Sequence, residues 1–558
     1  MKNISLLIMT GVLSVLFFSC DSSEQEQQRV SADFSDSLII NAENLIGLDF
    51  DTAEHRQMQG FLKRNLALYQ GMRNYSLDNS VAPALLFRPL VNEYEPRGQD
   101  YSNPVPVSTL KRPESDEEIA FKTVTELSQL IRNGELSSVE LTKIYLDRLK
   151  KYGDSLYCVA SLTENLALEQ AERADREIAQ GDYRGPLHGI PYGVKDLLAV
   201  EGYKTSWGAR PYENQVINNT ATVVKKLEEA GAVLVAKLSM GALAMGDVWF
   251  GGVSRNPWNP EQGSSGSSAG SASATSAGLV AFSIGTETLG SIVSPSTRCG
   301  VSGLRPTFGR VSRAGAMALS WSMDKIGPIC RSADDCAMVF DYIRGSDGID
   351  RTVIDRPFNY NFNDDIKNLR IAYLEDAFKG DYDNQENDLE VLTVFNRMGV
   401  ELLPVKMEFE GVPINSQRII LYAEAAAAFD ELTRSRLDTL LTSQGDGSWP
   451  NTFRAGRFIP AVEYIQANRH RTVLMEQMEQ LMKDYDVIIS PSFRGNQLLV
   501  TNLTGHPCVV VPNGFNEDNS PTSISFIGGL FDEASILLVA SKYQEATGFD
   551  EQHPPLFK

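Results

Sequence analysis

The chain has 558 residues, of which 42% are hydrophobic and 22% are charged, which is the composition of a globular protein with a large core. Its formal net charge is −21 and it contains no long run of Lys and Arg, so the sequence argues against a nucleic-acid partner. The length permits two or three domains, although large α/β enzymes often fold as one.

The first residues, MKNISLLIMTGVLSVLFFSC, place a basic Lys2 before an apolar run over residues 4–18. That run is too short for a stable membrane span and predicts a signal peptide over residues 1–19. Its end, LFFSC, resembles the lipobox of bacterial lipoproteins, so we expect Cys20 to carry a lipid. The sequence thus predicts an exported lipoprotein, anchored to a membrane on the periplasmic or cell-surface side.

Residues 20–115 are predicted to be a lipidated tether followed by an N-terminal helical extension. The polar DSSEQEQQ after Cys20 cannot bury a core. Asp51 and Glu54 form the pattern of a capping box at the start of an amphipathic helix. Six prolines between residues 83 and 113 then interrupt regular structure.

Residues 116–558 are predicted to form the main domain. Ser137 and Glu140 have the spacing of a second capping box, and the apolar runs at residues 233–236 and 279–284 predict buried strands. The later segments YDVIISPS and HPCVVVPNGF predict two more. Strands that alternate with helices indicate an α/β domain with a large, mainly parallel sheet.

Cysteine usage does not indicate a disulfide framework or a metal site. Without Cys20 the count is odd, and no CxxC spacing is present. A disulfide between Cys330 and Cys336 stays open at this point. The remaining cysteines are Cys158, Cys299, Cys330, Cys336 and Cys508.

The segment GSSGSSAGSASATSAG, residues 263–278, has two interpretations. By composition alone it is a flexible linker. However, it lies inside the predicted α/β domain, directly before a buried strand, and residues 269–277 are small enough to form a closely packed helix. A catalytic loop followed by such a helix is therefore the better interpretation.

A nucleophilic serine in this chain needs a base other than histidine. The chain has five histidines, and neither a GxSxG motif with a convincing downstream histidine nor HExxH is present. Lys195 lies in the apolar run GIPYGVKDLLAV, where burial would favour the neutral amine that can accept a proton. The alternative is a structural lysine that pairs with Asp196.

Two ordered motifs decide between these interpretations. GPLHGIPYGVKD resembles the lysine motif of the amidase signature family, and NPWNPEQGSSGSSAGSASATSAGLVAFSIGTETLGSIVSPSTRCGVSGLRPTFGRVS resembles its long signature. The resemblance extends over roughly residues 121–545. It implies a large mixed sheet surrounded by helices and a Ser–cisSer–Lys triad that requires no metal or cofactor.

The resemblance also implies the catalytic residues. Lys195 is the base, Ser267 is the bridging serine after a cis peptide bond from Gly266, and Ser291 is the nucleophile. Because the segment GSSGSSAG contains two serine pairs, Ser264 is the alternative candidate for the bridging serine. The implied oxyanion hole consists of the backbone N–H groups of Thr288, Leu289, Gly290 and Ser291.

The function implied is an amidase that forms an acyl-enzyme on a small-molecule amide. Many family members have arginine where this chain has Val293, so we expect neutral or apolar amides rather than anionic ones. The alternatives are the A subunit of a glutamyl-tRNA amidotransferase and, from another class, a non-catalytic solute-binding surface lipoprotein. Whether the protein is a homodimer stays open.

Overall fold

The computed structural model describes residues 34–91, 100–104 and 110–558. The predicted signal peptide and Cys20 lie outside the described residues. Within the described ranges, no helix combines the length and the hydrophobicity needed to cross a bilayer.

The described residues from 34 to 76 form a compact unit of two helices, α1 (Asp36–Ile46) and α2 (Thr52–Arg73). The predicted capping box is confirmed, because the Asp51 carboxylate accepts the backbone N–H of Glu54 and the Glu54 carboxylate accepts that of Asp51. His55 Nε2 lies 3.1 Å from a Glu43 carboxylate oxygen, and this contact joins the two helices.

The described residues from Leu77 onward form the second, much larger unit. Its helices are α3 (Asp116–Ala120), α4 (Val124–Arg132), α5 (Ser138–Leu156), α6 (Glu164–Gln180), α7 (Thr222–Glu229), α8 (Ala269–Ser276), α9 (Val293–Cys299), α10 (Ala333–Ile343), α11 (Gln385–Arg397), α12 (Ile419–Ala428), α13 (Asp430–Arg434), α14 (Trp449–Gly456), α15 (Ala461–Met482), α16 (Gln497–Thr504) and α17 (Glu533–Thr547). Its strands are β1 (Tyr101–Asn103), β2 (Val159–Leu162), β3 (Pro191–Lys195), β4 (Val233–Leu238), β5 (Val248–Trp249), β6 (Gly252–Val253), β7 (Arg255–Asn256), β8 (Asn259–Gly263), β9 (Phe282–Glu287), β10 (Ser302–Arg305), β11 (Lys325–Cys330), β12 (Asn359–Asn361), β13 (Ile371–Leu374), β14 (Leu402–Val405), β15 (Val487–Pro491), β16 (Cys508–Phe515) and β17 (Pro521–Gly528).

Eleven strands form one mixed sheet in the order β14-β13-β15-β17-β16-β10-β11-β9-β3-β4-β2. The large mixed sheet surrounded by helices is as predicted, but it is not mainly parallel: four neighbouring pairs are parallel and six are antiparallel. The reason is the connections. β10 and β11, like β16 and β17, follow each other with no α-helix between them, and such direct connections allow antiparallel neighbours.

The two strands that carry the site are parallel neighbours. β3 pairs with β9 in the register Tyr192↔Phe282 and Val194↔Ile284. Both strands therefore end at the same edge of the sheet, the usual place for a ligand site in a parallel arrangement. β9 begins at Phe282 rather than at the predicted Leu279, because Leu279 still donates its N–H to Ala274 in the turn that ends α8.

The serine-rich segment is not a linker. All eight residues of α8 are buried, and small side chains permit this close packing. A Cβ on Gly270 would lie 2.4 Å from the Cys158 carbonyl oxygen, so a larger residue does not fit there. The predicted packed helix is confirmed.

The cysteines of the second unit are buried free thiols. Cys330 and Cys336, whose pairing the sequence left open, form no disulfide. The Cys336 thiol instead lies 3.8 Å from the Ser302 carbonyl oxygen. Among the described residues, no group of three or more His, Cys, Asp or Glu side chains is arranged to hold a metal ion.

Candidate active site

Lys195 is the last residue of β3, and its side chain is fully buried. Its Nζ lies 2.8 Å from Ser267 Oγ, 3.1 Å from Ser268 Oγ and 2.9 Å from Thr286 Oγ1. Burial lowers the pKa of Lys195 to about 7, although the negative charges of Asp324 and Glu287 oppose the shift. At neutral pH a substantial fraction of this amine is therefore free to accept a proton.

Asp196 does not pair with Lys195, which removes the structural alternative. The Asp196 carboxylate lies 2.7 Å from the ammonium of Lys237, and it also accepts the backbone N–H of Ser206. Lys195 itself contacts hydroxyl oxygens and the Thr286 carbonyl oxygen. These neutral partners do not stabilise an ammonium as a carboxylate would.

The loop before α8 brings Ser267, and not Ser264, to the lysine. The hydroxyl of Ser264 donates to the carbonyl of Ser265, whereas Ser267 Oγ accepts from Lys195 Nζ. The peptide bond between Gly266 and Ser267 is cis, as the family resemblance implies. Gly266 is required here, because a Cβ on it would lie 1.9 Å from the Gly246 carbonyl oxygen.

Ser291 lies in the loop between β9 and α9 and is 7% exposed. Its carbonyl accepts the backbone N–H of Ser268 at 3.1 Å, which ties this loop to the segment that carries Ser267. Gly290 has φ +90°, a conformation that favours glycine directly before the serine. The backbone N–H groups of Leu289, Gly290 and Ser291 find no acceptor among the described residues, so they are available to a developing oxyanion.

Thr288, the fourth member of the predicted oxyanion hole, is held by the half-buried carboxylate of Asp324. Its Oγ1 donates to Asp324 at 2.6 Å, and the other Asp324 oxygen accepts the N–H groups of Leu319 and Ser320. Burial raises the pKa of Asp324, and the hydrogen bond from Thr288 opposes that shift.

Sequence reasoning missed the residue that holds the Ser291 loop. One oxygen of the buried Glu287 carboxylate accepts the backbone N–H groups of Ile292 and Val293 at 2.9 and 3.0 Å. The other accepts from Arg305 at 2.9 Å and from Asn502 at 2.8 Å. Burial alone would raise the pKa of Glu287, but the charges of Arg305 and Lys325 and the hydrogen bonds to the carboxylate together outweigh it and hold the pKa at about 2. Glu287 is therefore a fixed negative charge that positions the loop.

A cavity of about 630 Å³ opens beside this loop. Thr286, Thr288 and Asp324 lie in its wall. Much of the remaining wall is apolar and includes Leu197, Ala244, Ala316, Met317, Leu319, Trp321 and Ile326. Of the predicted oxyanion hole, Thr288 lines this cavity, so a substrate amide bound here would lie beside Thr288.

We expect Ser267→Ala to lower kcat about 10²- to 10⁴-fold, the usual contribution of a group that transfers a proton in the transition state. Ser264→Ala is the matched control: both hydroxyls are fully buried, but Ser264 bonds only to a neighbouring carbonyl and should keep most of the activity. Steady-state kinetics of both variants check this, and the reverse ranking would contradict the assignment of the bridging serine.

The sequence and fold comparisons agree on the class of protein. A protein-family model described as Amidase matches residues 140–500. The chain therefore belongs to the amidase signature family and is a hydrolase that acts on amide C–N bonds. This sets aside the alternative of a non-catalytic binding protein.

Curated relatives share about a third of their residues with this chain. The A subunit of glutamyl-tRNA(Gln) amidotransferase from Thioalkalivibrio sulfidiphilus is 32% identical over 485 residues, which cover 78% of this chain and 99% of the relative. The protein of the same name from Methylococcus capsulatus is 32% identical over 481 residues, 78% of this chain and 98% of the relative.

Solved structures with this fold include enzymes of more than one activity. Native peptide amidase from Stenotrophomonas maltophilia is 28% identical with a TM-score of 0.69, covering 78% of this chain and 99% of the other. The A subunit of glutamyl-tRNA(Gln) amidotransferase from Thermotoga maritima is 25% identical with a TM-score of 0.64, covering 78% of this chain and 96% of the other.

Proposed function

We propose that this protein is an amidase that hydrolyses a carboxylic amide to a carboxylate and ammonia or an amine. The observation that carries the proposal is the buried contact of 2.8 Å between Lys195 Nζ and Ser267 Oγ, beside the loop that presents Ser291. A lysine with a pKa of about 7 can act as a base at neutral pH.

The proposed reaction begins with neutral Lys195, which takes the proton of Ser267 while Ser267 takes the proton of Ser291. Ser291 Oγ attacks the amide carbon, and the N–H groups of the loop stabilise the oxyanion. When the C–N bond breaks, the proton returns through Ser267 to the leaving nitrogen. Water then attacks the ester carbon of the acyl-enzyme and loses its proton to the same relay, which restores Ser291 and releases the carboxylate.

The substrates we propose are neutral or apolar amides. Val293, where many family members have arginine, is fully buried at the first turn of α9 and presents no group to a substrate carboxylate. Four basic residues of the described chain lie in the wall of the cavity. Arg313 is paired with Asp350 at 3.0 Å, and burial lowers the pKa of Lys325 well below its usual range. The other two are exposed to solvent, namely Lys225 and Arg351. The apolar wall described above favours uncharged substituents.

A panel of amides tests this substrate class. We expect kcat/KM for propionamide, butyramide and benzamide to exceed that for malonamate and glutamine by about tenfold or more, because moving a carboxylate from water against an apolar wall is costly. Product analysis by ammonia release and mass spectrometry measures the rates. A clear preference for a carboxylate-bearing amide would contradict the role given to Val293.

The A subunit of a glutamyl-tRNA amidotransferase is the second candidate. The names of the curated relatives favour it, and those relatives align over nearly their whole length. Against it are Val293, the predicted export signal and an N-terminal part that precedes the matched region, since charged tRNA is not available outside the cytoplasm. In the same panel, hydrolysis of glutamine with the neutral amides inert would favour this second candidate over the amidase.

We propose further that the protein is exported and anchored through a lipid on Cys20, as the residues MKNISLLIMTGVLSVLFFSC suggest. Cys20→Ala should abolish lipid attachment and leave precursor or unanchored protein. Metabolic labelling with an alkyne palmitate analogue measures this, with Cys158→Ala as the control because that thiol is buried. Equal labelling of Cys20→Ala and wild type would exclude the lipid site.

A further inference from the structure

Residues 79–86, which we call the strap, form part of the wall of the cavity beside the predicted catalytic loop. The Asn79 side-chain amide fixes one end, since it donates to the Ala318 carbonyl at 2.9 Å and accepts the Ala318 N–H at 2.7 Å. Phe87 fixes the other end. Its ring packs edge-on against Phe308 at 5.0 Å, and the Arg471 guanidinium lies 3.5 Å from its centre.

Between these two anchors the strap is exposed to solvent. Residues 81–86 are all exposed, and the side chains of Leu85 and Leu86 are 78% and 48% exposed. Leucines gain free energy when a ligand covers them, and here two lie side by side in the wall of a cavity. The strap thus presents exposed apolar side chains that a ligand in the cavity could contact.

The strap also borders a second, larger cavity of about 1050 Å³. Residues 83–86 and Trp321 line both cavities, so they form the boundary between the inner one, which reaches Thr288, and the outer one. The apolar part of the outer wall includes Ala423, Ala426, Ala427, Ile459, Ile465 and Met475. An apolar group that leads away from Thr288 along the strap would enter a second apolar space.

We propose that the strap binds the apolar substituent of the substrate and makes the enzyme selective for neutral amides that carry a bulky apolar group. This inference rests on the proposed amidase function and adds the element that selects the substrate. The strap precedes residues 140–500, the region that the family model matches, so the selectivity would come from this chain's own N-terminal part.

The test compares 4-phenylbutyramide, and its counterpart N-(3-phenylpropyl)acetamide, with acetamide. In the Leu85→Ala/Leu86→Ala variant we expect kcat/KM for at least one phenyl-bearing amide to fall about 10- to 100-fold, mainly through KM, because a few missing carbon atoms in an apolar site cost this much discrimination. Acetamide, which is too small to reach the strap, should be hydrolysed at the wild-type rate. The amide with the larger loss shows whether the acyl or the amine side faces the strap.

Leu77→Ala is the matched control, because Leu77 is 75% exposed and lies before the Asn79 anchor. This variant should have the wild-type kcat/KM for all three amides. Equal losses on acetamide and the phenyl-bearing amides, or no loss on either phenyl-bearing amide, would overturn the proposal. Calorimetric binding of the non-hydrolysable 6-phenylhexan-2-one gives a readout without turnover. The double variant should bind it about tenfold more weakly than the wild type. Unchanged binding together with unchanged KM would overturn the role of the strap. If the wild type hydrolyses none of the amides, the proposed function fails, and this binding difference still decides about the strap.

Discussion

Ser291→Ala is expected to be inactive at every pH, with a loss in kcat on the order of a millionfold, the scale seen when a serine hydrolase loses its nucleophile. Ser291 lies in the loop that Glu287 holds through the N–H groups of Ile292 and Val293, and these bonds do not involve the Ser291 hydroxyl. The fold should therefore survive the substitution. Ammonia release from a neutral amide and the thermal unfolding temperature measure the two effects.

Ser294→Ala provides the control for this variant. Ser294 is a half-buried serine three residues further along the same chain segment, and no role in the reaction is assigned to it. Its alanine variant should retain activity within a few-fold. Substantial hydrolysis by Ser291→Ala would show that another group attacks the amide.

Lys195→Ala is expected to lower kcat/KM at neutral pH by about 10³- to 10⁴-fold, the upper range for loss of a general base. Because the free amine is the active form and burial lowers its pKa to about 7, wild-type activity should rise with pH through about 7 and then level off. At pH 6 about a tenth of the lysine is neutral, so activity should be about a tenth of its plateau. The alanine variant should lack this rise of activity around pH 7. Its activity should recover partly at alkaline pH, where hydroxide can act as the base.

The lowered pKa of Lys195 should also make the free energy of unfolding depend on pH. Its pKa is lower in the folded chain than in the unfolded chain, so between pH about 7 and the ordinary lysine value the unfolded chain binds the additional proton. The contribution of Lys195 to folding therefore becomes more favourable as the pH rises through this window.

Lys237→Arg is the control for the pH dependence of activity. Lys237 pairs with Asp196, so its replacement should leave the rise of activity with pH in place. An unchanged rise of activity with pH in Lys195→Ala would exclude this lysine as the base.

The predicted site residues come from the sequence, because they lie in two long motifs that resemble those of the family. Counting back from Ser291 selected Ser267 rather than Ser264, and the structure brings Ser267 to Lys195. The lowered pKa of Lys195 was predictable from its apolar surroundings in the sequence, because burial disfavours the ammonium form.

Other features depend on contacts between residues far apart in the chain. Glu287 is visible in the sequence as an acid within an apolar strand, but only the fold shows that Arg305 and Asn502 hold it beneath the Ser291 loop. The direction of the central strands depends on which connections cross the sheet, and a hydrophobic run carries no information on direction. The strap looked like a proline-broken extension, because its anchor Ala318 lies 239 residues away from Asn79.

Labelling with a serine-directed fluorophosphonate, followed by peptide mapping, tests the central claim most directly, since it reports which hydroxyl is the activated nucleophile. The account predicts one covalent adduct on Ser291, formed faster as the pH rises through about 7. The adduct should form at least about a hundredfold more slowly in Lys195→Ala and be absent in Ser291→Ala. An adduct on another serine, or equal labelling of wild type and Ser291→Ala, would contradict it.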